Sequence, residues 1–227
     1  PAQGPVHPDE LGTMGGAKQI VTVTAPRWGA THGVAVAWQK RDLTWRAVRG
    51  PVRVALGASG LSVMTDRRLA GTTPAGVYPV ASSFGVRPDQ GGALRYRRLD
   101  ADDRWSMDPR SRRTYNILQP IRSRGATWRR SREVVFGDYP GSFDRGVVLG
   151  FNLPQKVYWA PKRKQSMARV PADVRRGSFL IHSGRRVGRT GWVSMPTRDV
   201  SWLARWVDPA QRTKIVVGTP AYLRDNL

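Results

Sequence analysis

The strongest constraint on the fold of this chain is a series of short segments in which apolar and polar residues alternate. Gln19-Ile20-Val21-Thr22-Val23-Thr24 is the first and Gly33-Val34-Ala35-Val36-Ala37-Trp38 the second. Trp45-Arg46-Ala47-Val48 and Val52-Arg53-Val54-Ala55-Leu56-Gly57 continue it, with Gly/Pro or Gly/Ser breaks between them. A period of two residues places one face of an extended segment against a core, and such strands at short intervals build an antiparallel sheet or sandwich. Gly146 to Asn152 reads as a further buried strand and Lys214 to Gly218 as a last one. Thr197 to Val207 is the clearest helix: Thr197 can cap it, Asp199 lies in its first turn, and Val200, Leu203, Ala204 and Val207 share one face. A mainly β domain with one short C-terminal helix is expected.

At 227 residues, with 40% hydrophobic residues and nine tryptophans, the chain can bury one sizeable core. Residues 18–227 are read as that single domain. Residues 1–17, rich in proline and glycine, are read as a flexible arm, and Ala221 to Leu227 as a tail. The start at Pro1 leads us to expect a processed or truncated N-terminus, with a signal peptide removed from an exported protein. No apolar run approaches the roughly 18 residues of a membrane span.

The charge is extreme: 38 Lys and Arg against 16 Asp and Glu give +22, most of it arginine. Such a field attracts polyanions, whether nucleic acid, teichoic-type wall polymers or anionic lipid. Two stretches concentrate it. Arg122 to Arg132 is a basic run holding one tryptophan, and Gln155 to Arg176 a long basic insertion with Tyr158, Trp159 and Lys162-Arg163-Lys164. A loop of about that length in a compact domain is a lid, a binding loop or a disordered segment. No helix-turn-helix, RNP or zinc signature accompanies the charge, so any nucleic-acid binding is expected to be unspecific. The absence of cysteine excludes disulfides, zinc–thiolate sites and thiol catalysis. No Asp, Glu and His grouping has metal-ligand spacing, and no cofactor is expected.

One stretch has the layout of a catalytic site. Ser178-Phe179-Leu180-Ile181 reads as a buried strand that delivers His182 at its end, followed by a Gly/Arg turn. Gly191-Trp192-Val193-Ser194-Met195-Pro196 follows and leads into the helix. Upstream, Gly71-Thr72-Thr73-Pro74-Ala75-Gly76-Val77-Tyr78 reads as a Pro/Gly turn feeding a short strand. Taken in this order, the T-P-x-G segment and the His-turn-Gly element resemble the catalytic domain of the L,D-transpeptidase (YkuD-type) family, in its actinobacterial form. Phe84-Gly85, Tyr96 to Leu99, Trp105 to Pro109 and Tyr115-Asn116 extend the likeness over roughly residues 50 to 220.

The resemblance implies a β-sandwich and a peptidoglycan acyltransferase. In that family a cysteine thiolate attacks a stem peptide at its diaminopimelate residue, expels the terminal D-alanine, and yields the acyl group to a second stem. Such chemistry needs a thiolate, an imidazole to take its proton, and backbone N–H groups around the oxyanion. His182 matches the family's base, with Ser183 beside it to tune the ring. Gly191 matches the glycine before the nucleophile, where the backbone needs room, and Ser194 lies two residues past the nucleophile. The nucleophile's own place holds Trp192, which cannot form an acyl-enzyme. The Ser or Thr that orients the histidine is replaced by Arg189, with Thr190 one residue late.

Three functions follow as expectations. The first is an exported cell-envelope protein that has lost the thiol reaction and binds peptidoglycan stem peptides or an anionic wall polymer. The second is an active wall enzyme using Ser183, Ser194 or activated water with His182. The third is a polyanion binder working by charge alone. For Trp192 two roles stay open, a plug in a vacated pocket or an aromatic wall gripping a ligand. Since large aromatics mostly serve packing, the plug is favoured.

Overall fold

The computed structural model describes residues 4–63, 71–120, 125–184 and 190–227. Among them the strands in chain order are β1 (Gln19–Thr24), β2 (His32–Arg41), β3 (Thr44–Ala55), β4 (Leu61–Val63) and β5 (Thr73–Gly85). The middle of the chain supplies β6 (Tyr96–Arg98), β7 (Arg104–Ser106), β8 (Ile117–Gln119), β9 (Glu133–Val135) and β10 (Gly146–Leu149). Then come β11 (Gln155–Ala160), β12 (Gln165–Val170), β13 (Leu180–Ser183), β14 (Val193–Met195) and β15 (Lys214–Gly218). Helix α1 spans Thr197–Trp206 and α2 spans Pro220–Asn226. The mainly β expectation holds.

Eight of these strands form a ring, in the order β10-β13-β14-β3-β2-β1-β15-β5, which the pairing of β5 with β10 closes. A sandwich was expected; the observed sheet closes on itself like a barrel. Closure satisfies strand edges that an open sheet would leave bare. Within the ring β1/β15 and β13/β14 run parallel and the other pairs antiparallel.

Alternation along the strands sorts side chains between the barrel's interior and its outer face. Val21, Val23, Ala35, Ala37, Val147, Ile181, Val193, Ile215 and Val217 share one cluster, the barrel core. The opposite faces are covered as well, which is why β1 is buried along its whole length. Ile20, Val36, Trp38 and Val216 pack in a second cluster with Val6, Leu11, Ala17 and Leu223. Residues read as a loose arm are therefore part of the body, with Val6 fully buried. Glu10 and Arg224 join the arm to α2 by a 2.6 Å ion pair. The tail expected at Ala221 to Leu227 is this second helix, capped by the Thr219 hydroxyl, which accepts from the Tyr222 amide. One C-terminal helix was expected, and among the described residues two are present.

A third cluster lies outside the ring on the β10–β13–β14 side. Phe84, Val148, Leu180 and Trp192 meet Leu99, Trp105, Phe136 and Phe143 there, beneath the small sheet β8-β7-β9. The basic insertion is an ordered hairpin, β11–β12, rather than a loop. Gln119 fastens it to β8, giving its amide to the Ser166 carbonyl and accepting from the Ser166 amide, both at 2.8 Å. Within the basic run that follows residue 121, residues 121–124 lie outside the described residues, while Trp128 is buried and donates to Glu133. No helix among the described residues is long and apolar enough to cross a membrane.

The ring is weakest between β14 and β3, which pair only at Ser194 and Ala55 among the described residues. Helix α1 follows β14 directly, packs beside β10 and β13, and turns Val200 and Leu203 into the barrel core, joined there by Val207 just past its end. It starts directly after Pro196, whose position serves as the cap in place of the expected Thr197. Buried Asp199, in its first turn, accepts from Arg49 of β3 at 3.0 Å (Nε) and 2.6 Å (Nη2). The same guanidinium lies 5.3 Å over the ring of Trp202. Asp199→Ala leaves this half-buried cation without its acceptor, and urea unfolding is expected to register a loss of about 2 kcal/mol. Arg198→Ala, at a side chain in open solvent, is expected to stay within about 0.5 kcal/mol of the parent.

Candidate functional site

β13 brings His182 to the outer face of the ring, next to β10 on one side and β14 on the other. Gly146 of β10 stands opposite it, and Ser194 of β14 is its partner in parallel register. Because alternate residues of a strand share a face, Leu180 and His182 point outward while Ile181 joins the core. On β14 the same rule sends Val193 and Met195 inward, and Ser194 faces outward beside His182.

The His182 ring is held on three sides. Its Nδ1 lies 2.8 Å from the Ser142 carbonyl and 2.8 Å from that of Ser183. Both partners are acceptors, so Nδ1 carries the proton and the Nε2 lone pair is the basic one. Phe143 stacks on the ring at 5.0 Å between centroids, and Trp192 meets it edge-on at 5.8 Å. Burial lowers the imidazole's pKa, and the two carbonyl contacts oppose that shift without cancelling it. The side chain is therefore neutral at pH 7.

Trp192 is 3% exposed. Its indole N–H donates to the Ser178 hydroxyl at 3.1 Å and the Ser178 carbonyl at 3.2 Å, which satisfies the one polar atom of the ring. Phe143 packs edge-on against it at 6.0 Å. Trp192 is thus a packed, buried side chain rather than an exposed aromatic wall.

Gly191 has φ +77°, and a side chain there would bring Cβ to 2.0 Å from the Thr72 carbonyl oxygen. The two motifs singled out in the sequence, T-P-x-G and His-turn-Gly, therefore touch backbone to backbone. Ser183 is buried on the face away from His182. Its hydroxyl donates to the Arg145 carbonyl at 3.0 Å and accepts from the Arg145 amide at 2.9 Å, so it has no lone proton to give a base. Ser194 shares the histidine's face; a Cβ placed on Gly184 would lie 3.6 Å from Ser194 Cβ and 3.8 Å from His182 Cε1. Arg189 lies outside the described residues. The structure thus groups His182, Trp192, Gly191 and Ser194, and sets Ser183 behind them.

Ser142, Phe143 and Ser178 belong to this arrangement and were not singled out in the sequence. The first two precede β10, and only the pairing of β10 with β13 brings them to the imidazole. Asn152 is a further omission. Its amide donates to the carbonyls of Asp173 and Arg176 at 2.9 Å and Gly177 at 3.1 Å, while its carbonyl accepts from the Asp173 amide at 2.8 Å. One side chain so fixes the approach to β13.

Two hollows flank these residues. A cleft of about 500 Å³ begins at Ser194 and runs between β3 and the start of α1, lined by His32, Arg53, Arg198 and Asp199. A wider groove of about 620 Å³ lies over β5 and β8, walled by Arg95, Arg97, Trp105, Tyr158 and Trp159. Tyr158 is flanked by the guanidinium groups of Arg113 and Arg169, at 5.8 and 5.7 Å, and Trp159 is 48% exposed. Among the described residues no group of three His, Asp or Glu side chains is placed to hold a metal ion.

Two outcomes follow. Gly191→Ala combines a disfavoured φ with a backbone clash and is expected to destabilise by at least about 2 kcal/mol in chemical denaturation. His182, whose folded pKa lies below that of a free histidine near 6.5, contributes stability that is complete above that pH and is lost as pH falls through the folded value. The gap in melting temperature between the parent and His182→Gln is expected to narrow as pH drops from about 7.5 to 5. A gap independent of pH would refute this. Comparison with known proteins gives no match: neither a protein-family model, nor a curated protein, nor a solved structure matches this chain.

Proposed function

We propose that this chain descends from the L,D-transpeptidase lineage, has lost the thiol reaction, and serves as an exported binding protein for peptidoglycan or an anionic polymer of the bacterial wall. The observation that carries the reading is Trp192, whose buried, hydrogen-bonded indole stands against the histidine where a nucleophile would be needed. Two further features support it. The direct contact of Gly191 with Thr72 unites the two segments on which the resemblance rests. The groove at Tyr158 and Trp159 joins aromatic faces to arginines, a combination suited to sugars or extended chains that carry negative charge.

Purified sacculi at moderate salt test the binding. The protein is expected to sediment with them beyond a charge-matched basic control, and Trp159→Ala with Arg95→Glu to reduce retention at least about tenfold. Retention no greater than the control's would remove the wall-binding reading. The lineage is tested separately. Trp192→Cys, checked for folding by circular dichroism, is expected to restore a thiol beside a base and to form a mass adduct with a carbapenem. A folded variant that forms none would count against this ancestry.

The register of Ser194 with His182 keeps one rival reading in play, a wall peptidase with a serine nucleophile. It requires that muropeptides be cleaved by the parent and left intact by His182→Ala.

A further inference from the structure

The seam between β14 and β3 leaves a strand edge facing a cleft. β3 spans Thr44–Ala55 and pairs along its length with β2, but among the described residues its other edge meets β14 only at Ala55. Main-chain polar groups alternate between the two edges of a strand. The Leu56 amide donates to the Thr31 carbonyl, on the β2 side. Counting back, Val54 and Val52 also direct their N–H and C=O groups toward β2, and Ala55 and Arg53 direct theirs the other way. The bridge from Ala55 to Ser194 agrees with that alternation. The Arg53 amide and carbonyl therefore open into the cleft, one repeat beyond the last paired residue, and the Pro51 carbonyl follows.

The walls of that cleft select the occupant. Pro51, Val52, Arg53, Val54 and Ala55 line it on one side, and Ser194, Pro196 and Arg198 on the other. Arg53 and Arg198 are exposed cations at its rim. Asp199 is the one carboxylate among its lining residues; Arg49 holds one of its oxygens at 2.6 Å and Arg198 lies 3.5 Å from the other, so two cations share one buried charge and the cleft keeps a positive excess. A second copy of this chain would bring another +22 to an edge carrying Arg46, Arg49 and Arg53, and repulsion opposes that pairing.

We infer that the β3 edge takes an acidic, extended polypeptide segment of a partner protein as an added strand. Its main chain bonds to the Arg53 amide and carbonyl, and its carboxylates meet Arg53 and Arg198. Backbone pairing supplies the anchor and the two guanidinium groups supply the preference for acid. The inference does not rest on the wall-binding reading, since retention on sacculi runs through Trp159 in a different groove and can fail without altering this result.

The test uses the full chain and three fluorescein-labelled heptapeptides. One alternates valine with glutamate, one alternates valine with lysine, and one is the glutamate peptide N-methylated at alternate amides to remove the donors of one edge. Anisotropy is expected to show binding of the glutamate peptide at protein concentrations up to about 100 µM, and at least about tenfold weaker binding of the other two. Hydrogen exchange at the Arg53 amide is expected to slow when the glutamate peptide is present. The double variant Arg53→Gln/Arg198→Gln, which changes only exposed side chains, is expected to lose at least about tenfold in affinity. Binding of the N-methylated peptide as tight as that of its parent, with no protection at Arg53, would reduce the effect to charge and overturn the inference. No binding of the glutamate peptide would overturn it as well.

Discussion

A closed ring of strands is only as sound as its least paired junction, and here that junction is the single bridge between Ser194 and Ala55. The cause lies in the chain's next step. Pro196 offers no amide to a ladder, and the backbone turns at once into α1, so β14 ends after three residues. What β-pairing omits, the helix supplies. Its apolar stripe packs into the barrel core, and Asp199 reaches across to Arg49 on the strand that β14 leaves early. Trp202 then shields that guanidinium with its own ring. Ser194 lies on this short strand and Trp192 immediately before it, so their placement depends in part on an ion pair that neither touches.

Around His182 the structure has the parts of a base without a partner for it. The carbonyls of Ser142 and Ser183 fix its tautomer, and burial keeps it neutral. Beside it stands Trp192, locked by Ser178 and by its packing against Phe143. Large, satisfied aromatics of this kind give up a great deal of contact energy when they move. Any ligand of this protein is therefore better sought in the hollows to either side, where side chains are exposed and cationic, than between the rings.

Much of this was legible in the sequence. The alternating runs at Gln19 and Gly33 are strands because their period matches the pleat, the short apolar run from Lys214 to Gly218 is a buried strand, and the apolar stripe from Val200 to Val207 marks its helix. Closure of the ring was not legible, since it depends on β5 meeting β10 across sixty residues of chain, a pairing no local pattern encodes. Hairpin β11–β12 escaped because β11 lies largely exposed and neither strand carries a clean alternation. Helix α2 was missed for a different reason. Its signals, a threonine cap followed by proline at the first helical position, stand at Thr219 and Pro220 in a segment too short to show a period. At the site, His182, Gly191, Trp192 and Ser194 were found because they lie close in sequence. Phe143 and Ser142 were not, because only tertiary pairing delivers them.

The coverage of the barrel is uneven, and that unevenness grades how readily its parts let go. β1 is enclosed by sheet partners on both edges and by apolar side chains on both faces. β14 is half its length and tied to one neighbour by a lone bridge. Local opening follows the fewest bonds, so breathing of this molecule should begin at the margin that carries Ser194 while the Gln19–Thr24 strand stays shut. A surface that gives way at small cost beside a body that does not is well suited to admitting another chain without unfolding its own.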